Sequence, residues 1–307
     1  MSDLNTNCAA SSQQDRHEKQ DVEIKNTLQH IKNKILVMSG KGGVGKSSVA
    51  AFLAVALSRK GLHVGLMDVD LHGPSIPRLL GLNGNILTAN QAGKALPVNV
   101  TPNLQVISIE TLMGEDRDQA TIWRGPLKIG VIRQFLSDLE WGDLDYLVID
   151  APPGTGDEPL TIAQTMKDAK SLIVTTPQEM SLADVRKSIN FCRKLNMEIL
   201  GLVENMGGFL CPHCGLRIDL FQSEGGRRLA EKEGIPLLAN LPLEPDMVSL
   251  ADQGRLTELY DSKLPFSEAF IAMVNKMVPS LIAPLSYDQR ITKGGQKDKG
   301  PLWVQTK

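Results

Sequence analysis

Gly40-Lys41-Gly42-Gly43-Val44-Gly45-Lys46-Ser47 fits the pattern G-x-x-x-x-G-K-[S/T] and carries a second lysine straight after its first glycine. Ahead of it, Ile35, Leu36, Val37 and Met38 read as a short apolar strand ending at Ser39. Behind it, Ser47 to Arg59 reads as a helix with Val49, Phe52, Leu53, Ala56 and Leu57 on one side. Strand, glycine loop and helix are the context a phosphate-binding loop requires. Glycines let the backbone curl so that several N–H groups aim at one point, and the helix N-terminus adds its positive end there. Lys46 is expected to reach the β- and γ-phosphates and Ser47 to hold Mg²⁺, with Ser48 completing the loop's nucleotide-binding run. Lys41 sits at the outer edge of the loop. Its side chain can cross a subunit boundary to a nucleotide held by a partner chain, although spacing alone equally allows a solvated surface lysine.

At 307 residues and 42% hydrophobic, the chain can bury a substantial core, and one large domain with flexible ends is expected. A polar tail over 1–31, helical near its end, precedes a domain over 32–283, and a mildly basic tail over 284–307 follows. Trp303 in that last stretch has no explanation in the pattern. A formal charge of −2 gives no sign of a nucleic-acid or anionic-membrane binder. No apolar run reaches the length of a membrane span, and the N-terminus lacks the apolar block of a signal peptide, so a cytoplasmic protein is expected.

From Lys34 onward, strand and helix patterns alternate. Strands are expected at Ile35–Ser39, Val64–Asp68, Leu104–Ile109, Tyr146–Asp150, Ser171–Thr175, Ile199–Asn205 and Pro236–Leu241. Helices are expected at Ser47–Lys60, Pro126–Leu139, Ser181–Leu195 and Glu224–Glu233. Phe266, Phe270, Val274, Met277 and Leu281 form the stripe of a closing helix. Continuous apolar strands suit parallel pairing covered on both faces. The reading is a doubly wound α/β domain with ligands at the carboxyl ends of its strands.

A phosphate-binding loop needs acidic partners. Asp68-Val69-Asp70 follows one apolar run, and Asp150 ends another before Ala151-Pro152-Pro153-Gly154. Asp150 is assigned a magnesium contact, direct or through water. Asp68 and Asp70 lie two residues apart, and at least one is expected to orient a water toward the γ-phosphate. Gly154 gives its loop freedom to move when that phosphate is lost.

Four cysteines are too few for a disulfide framework in a chain of this length. Cys8 lies in the tail, and Cys192 reads as a small buried apolar residue. Cys211-Pro212-His213-Cys214 leaves three readings: a redox disulfide, structural zinc or an iron–sulfur cluster. Zinc and cubane sites each take about four ligands, and one chain offers two. Two chains about a two-fold axis would offer four thiolates. Spacing does not choose zinc from iron–sulfur.

The loop with Lys41 resembles the deviant Walker A of the SIMIBI-class ATPases, which include MinD, ParA and the nitrogenase iron protein. Within that class the chain resembles the Mrp/ApbC family of iron–sulfur cluster carrier ATPases. The resemblance rests on Asp68 to Pro77, Trp123 to Pro126, Leu144 to Glu158, Val203 to Met206 and the Cys211–Cys214 pair, and runs from about Lys34 to Met277. It implies an ATP-binding homodimer that holds a labile [4Fe–4S] cluster between subunits and passes it to apo iron–sulfur proteins, working with assembly factors. It implies that Lys41 lies near the partner's nucleotide, that Asp68 and Asp70 form one switch, and that Asp150 and Gly154 form the other. Asn205 then recognises adenine beside the Pro242–Asp246 loop, and Cys211 and Cys214 ligate the cluster. The single N-terminal cysteine implies no second stable cluster. Two other readings stay open: a positioning ATPase of the MinD or ParA kind, and a zinc-bridged regulatory ATPase dimer.

Overall fold

A computed structural model of the chain describes residues 18–70, 73–82, 88–90, 93–108, 125–211, 213–221 and 224–278. Its centre is an eight-stranded sheet in the order β12-β9-β8-β1-β7-β2-β6-β5. The strands that matter are β1 (Ile31–Ser39), β2 (Val64–Asp68), β5 (Val98–Thr101), β6 (Leu104–Ser108), β7 (Leu144–Asp150), β8 (Lys170–Thr175), β9 (Ile199–Glu204) and β12 (Leu237–Asn240). Every neighbouring pair is parallel except β5 with β6. The expected strands and helices are present, with ends shifted by a residue or two, as frayed ends allow, except that β1 begins at Ile31 instead of Ile35. Ile109 and Leu281 lie outside the described residues.

Alternation along each strand builds two cores. Ile35 and Val37 of β1 join Val64, Leu66, Val148 and Val174 on one face. Leu36 and Met38 join Met67, Ile149 and Ile173 on the other. This is the period-two geometry of a sheet covered on both sides. On the first face lie α2 (Lys46–Arg59) and α9 (Pro265–Met277). Phe52 of α2 meets Phe270 of α9 edge-on, with ring centroids 4.8 Å apart, and Phe266 completes the aromatic cluster. Helix α2 is buried nearly all round because alanines at 50, 51, 54 and 56 let it sit close to the sheet and to its neighbours. On the second face lie α4 (Gly125–Ser137), α5 (Asp157–Thr165) and α6 (Glu179–Lys194).

Two features depart from expectation. Residues 18–29 form the helix expected near the end of the tail, α1, but it is docked, with Ile24 buried and Leu28 packed on the second core, and β1 starts at Ile31 rather than Ile35. The boundary placed at residue 31 therefore moves: a short two-residue apolar stripe is enough to dock a helix but too brief to show as periodicity. The segments 1–17 and 279–307, including Cys8 and Trp303, lie outside the described residues. The second departure is β5, an antiparallel edge strand turned back by Pro102-Asn103. Its half-exposed residues lack the unbroken apolar run that marks the interior strands.

Phe270→Ala removes the ring that bridges α2 to α9 and is expected to cost about 3–5 kcal/mol. Urea unfolding checks this, and a loss near zero would show that the aromatic cluster does not anchor the closing helix.

Candidate functional site

The parallel strands all deliver their carboxyl ends to one edge, so the residues there are brought together by topology rather than by sequence proximity. The loop Gly40–Gly45 leaves β1, the central strand, and enters α2 at Lys46. Gly45 has φ +80°, and a Cβ there would lie 2.3 Å from Asn205 Nδ2. A side chain is excluded twice over, by backbone conformation and by space. Ser39 Oγ donates to the Lys41 carbonyl (3.0 Å), and Asn205 Nδ2 donates to the Val44 carbonyl (3.0 Å). With outward carbonyls held in this way, the loop's N–H groups are left to face a ligand.

Beside β1, β7 ends at Asp150, and β2 ends at Asp68 in direct register with it. Lys46 Nζ donates to Asp150 Oδ1 at 2.5 Å and to Ser47 Oγ at 3.3 Å. Asp150 is fully buried. Burial drives its carboxyl up, and the Lys46 ammonium is the main influence holding it down. Asp150 Oδ2 is buried without a hydrogen-bond partner. A buried carboxylate oxygen of that kind, beside the Ser47 hydroxyl, is a hard oxygen donor suited to Mg²⁺ or to a water held by it. The residues present therefore fit the ion.

Asp68 is also fully buried. Its Oδ1 accepts the Asp70 N–H (3.1 Å), and its Oδ2 accepts Ser108 Oγ–H (3.1 Å) and the Ile76 N–H (3.4 Å). Burial first, and the charge of Asp150 second, push its carboxyl up to about 8. Two adjacent buried carboxylates with one ammonium between them cannot both ionise cheaply, and a cation supplies the missing charge. Asp70 lies past the end of β2, where its Oδ1 accepts the Gly73 N–H at 3.3 Å. Gly154, at φ +91°, donates its N–H to the Ser39 carbonyl (2.8 Å), which joins the loop after β7 to the phosphate loop.

Lys41 reaches Gln178 Oε1 at 3.3 Å and stays half-buried at the rim. Ser108 and Gln178 carry roles that motif reading missed. Both are polar residues at or just past the carboxyl end of a parallel strand, and that position is the signal that could have found them.

The cysteines stand on a separate hairpin, β10 (Phe209–Leu210) with β11 (Arg217–Ile218). Cys211 and Cys214 are both free, and Cys214 is exposed. The N–H groups of Cys214 and His213, then the Cys214 thiol, point at the Cys211 sulfur and pull its pKa down. Two N–H groups facing the sulfur favour its thiolate, the form that binds metals. Among the described residues, no three His, Cys, Asp or Glu side chains gather into a metal-binding group. Leu210, Leu216, Ile218 and Leu220 around the hairpin are exposed.

The model of a family described as "NUBPL iron-transfer P-loop NTPase" matches residues 30–278. The chain belongs to that family. This NTPase is 45% identical to the cytosolic Fe-S cluster assembly factor CFD1 of Saccharomyces cerevisiae, over 81% of this chain and 89% of that one. It is also 45% identical to the iron-sulfur cluster carrier protein of Methanocaldococcus jannaschii, over 84% of this chain and 88% of that one. Among solved structures, a nucleotide-binding protein in complex with ADP from Archaeoglobus fulgidus superposes with TM-score 0.69 at 42% identity, covering 78% and 93% of the two chains. MinD of Pyrococcus horikoshii superposes at TM-score 0.58 and 22% identity, over 80% and 95%, which is a likeness of fold. Among the described residues, no helix of the NTPase is long and apolar enough to cross a membrane.

Folding takes up a proton at Asp68, because its pKa rises from 3.8 to about 8. Its contribution to stability is full below about pH 4 and is lost as pH rises toward 8. Asp68→Asn has no such proton to lose. In urea titrations of the nucleotide-free protein, the variant should gain on wild type steadily from about pH 4 to pH 8 and no further above it. A stability difference that stays constant across that range would contradict the placement of a protonatable carboxyl there.

Proposed function

We propose that this NTPase is an ATP-hydrolysing iron–sulfur cluster carrier that works as a homodimer in the cytosol. Two copies together bind a [4Fe–4S] cluster as cargo and pass it to apo iron–sulfur proteins. The observation that carries this reading is the hairpin: two cysteines, one sulfur facing two backbone N–H groups, and, among the described residues, no third ligand close by in the same chain. A cubane takes about four thiolates, so a second copy has to supply the other pair. The exposed Leu210, Leu216, Ile218 and Leu220 offer that copy an apolar contact surface around the sulfur site. The names of the yeast and archaeal relatives support the same cargo, and the yeast name supports the compartment.

In the nucleotide site, Mg²⁺ when bound would neutralise charge between the β- and γ-phosphates. Ser47 Oγ and Asp150 would hold it, directly or through water. Lys46 would exchange the Asp150 oxygen for a phosphate oxygen, a short move for a side chain already at the mouth of the loop. Asp68 and Asp70, beside Asp150 on the neighbouring strand, would orient the attacking water. Gly154, hydrogen-bonded to the root of the phosphate loop, would register loss of the γ-phosphate. Lys41 would leave Gln178 for the partner's nucleotide as the two copies close. Asn205 would keep one N–H on Val44 and read adenine with the rest of its carboxamide.

A zinc-bridged dimer would use the same four thiolates, so the metal itself decides between the two. Protein purified and reconstituted without oxygen should be brown and contain iron and acid-labile sulfide. A colourless protein with stoichiometric zinc would refute the carrier reading. Cys211→Ala with Cys214→Ala should abolish the cluster and leave ATP binding within about twofold of wild type. Lys46→Ala should remove ATP binding and hydrolysis, and undiminished turnover in that variant would remove the phosphate loop from the mechanism.

A further inference from the structure

The nucleotide loop and the cysteine hairpin meet at two consecutive residues. Asn205 grips the phosphate loop through Val44, as described above. Glu204, the last residue of β9, is wholly buried, and its two oxygens are spent on the elements that flank the hairpin, the helix after it and, through Asn240 of β12, the residue before it. Oε2 accepts the Gly226 N–H, in the first turn of α7 (Gly225–Glu233), the helix entered after the hairpin. Oε1 accepts Asn240 Nδ2 at 2.5 Å, and Asn240 is packed against Gly207, the residue from which the chain enters the hairpin. A Cβ at Gly207 would lie 2.0 Å from Asn240 Oδ1, and one at Gly226 would lie 2.6 Å from Glu204 Oε2. Gly207 has no room to slide past Asn240, and Gly226 none to slide past the carboxylate.

The entering foot is fastened further. Gly207 N–H donates to the Leu241 carbonyl (2.8 Å), Leu243 N–H donates to the Gly208 carbonyl (2.7 Å), and Arg217 Nη2 donates to the Gly207 carbonyl (2.5 Å). The loop that follows β12, placed beside the adenine by the reading above, thus shares a ladder with the hairpin. A buried carboxylate with both oxygens occupied has no alternative partner to relax onto. Motion entering at Asn205 is therefore passed to the hairpin as a displacement of the whole element.

We propose that Glu204 is the positioning residue that couples nucleotide occupancy to the reactivity of Cys211 and Cys214. The proposal rests on the nucleotide-and-hairpin reading above, but its test needs no cluster. The apo protein is labelled with iodoacetamide, and the rate at each cysteine is read by peptide mass spectrometry, with and without magnesium and a non-hydrolysable ATP analogue. In wild type the nucleotide should change the Cys214 rate by about fivefold or more, the lower range of allosteric coupling. Asn240→Asp sets a second carboxylate against Glu204 Oε1 and breaks that foot, whereas Glu204→Gln alone does not, because the Asn240 carboxamide can turn to offer its oxygen. Asn240→Asp should still bind the analogue within about threefold of wild type, since Asn205 and the loop are intact, but lose most of the nucleotide effect on the thiol.

Glu204→Gln combined with Asn240→Asp reverses donor and acceptor across the same hydrogen bond. In that double variant the carboxamide introduced on β9 donates to the carboxylate introduced on β12 and still accepts from the Gly226 N–H, so the pair should restore the effect. Restoration separates coupling from a general loss of fold, which the swap would not repair. Wild type that binds the analogue without a change in thiol rate, or Asn240→Asp that keeps the full change, overturns the proposal. A chain that shows the coupling but never takes up iron would keep this inference and sink the carrier reading instead.

Discussion

Everything at the nucleotide edge depends on three ionisable groups out of water: Lys46, Asp150 and, one strand over, Asp68. A buried ammonium and a buried carboxylate are each costly alone, and the 2.5 Å pair between them offsets that cost. The second carboxyl is the one that Lys46 does not reach. Asp68 sits in register with Asp150 and cannot ionise easily while Asp150 is charged. The protein thus folds with a proton held on Asp68, at the point where a bound metal ion would supply the positive charge that lets it ionise. The parallel sheet sets this up, because it places neighbouring strand ends about 4.8 Å apart and aims them all the same way.

The same sheet explains how two chemistries share one domain. β9 ends on Glu204 and Asn205, which face the hairpin and the phosphate loop respectively. The sulfur site is built on a small hairpin outside the main sheet, where backbone N–H groups of a tight turn can gather round Cys211. Exposure there suits cargo that has to leave, since a cluster buried in a single chain's core would be hard to pass on. Apolar side chains around the hairpin suit a second copy that shields the site from water while the cargo is held.

Much of this was legible in the chain itself, for physical reasons. The loop from Gly40 to Ser47 has a geometry that few residue combinations satisfy, and the interior strands are buried on both faces and so read as unbroken apolar runs. Asp68 and Asp150 stand out because an acidic residue at the end of such a run has little other purpose. What escaped was set by tertiary packing. Ser108 is an ordinary serine until the sheet lays it beside Asp68. Glu204 looked like the tail of a strand, and only the elements that flank the hairpin reveal its position. Helix α1 was expected near the end of the tail, but it has too few apolar residues to show a period, so its docking through Ile24 was not. The edge strand β5 and the β10–β11 hairpin are short and half exposed, so they carry no run at all.

The most direct measurement is native mass spectrometry of the protein reconstituted anaerobically with iron, sulfide and nucleotide. A species of two chains with one [4Fe–4S] cluster, collapsing to cluster-free protein when Cys211 and Cys214 are replaced, is the predicted result. A single chain that retains iron, or a dimer whose only metal is zinc, would contradict the shared-cargo mechanism.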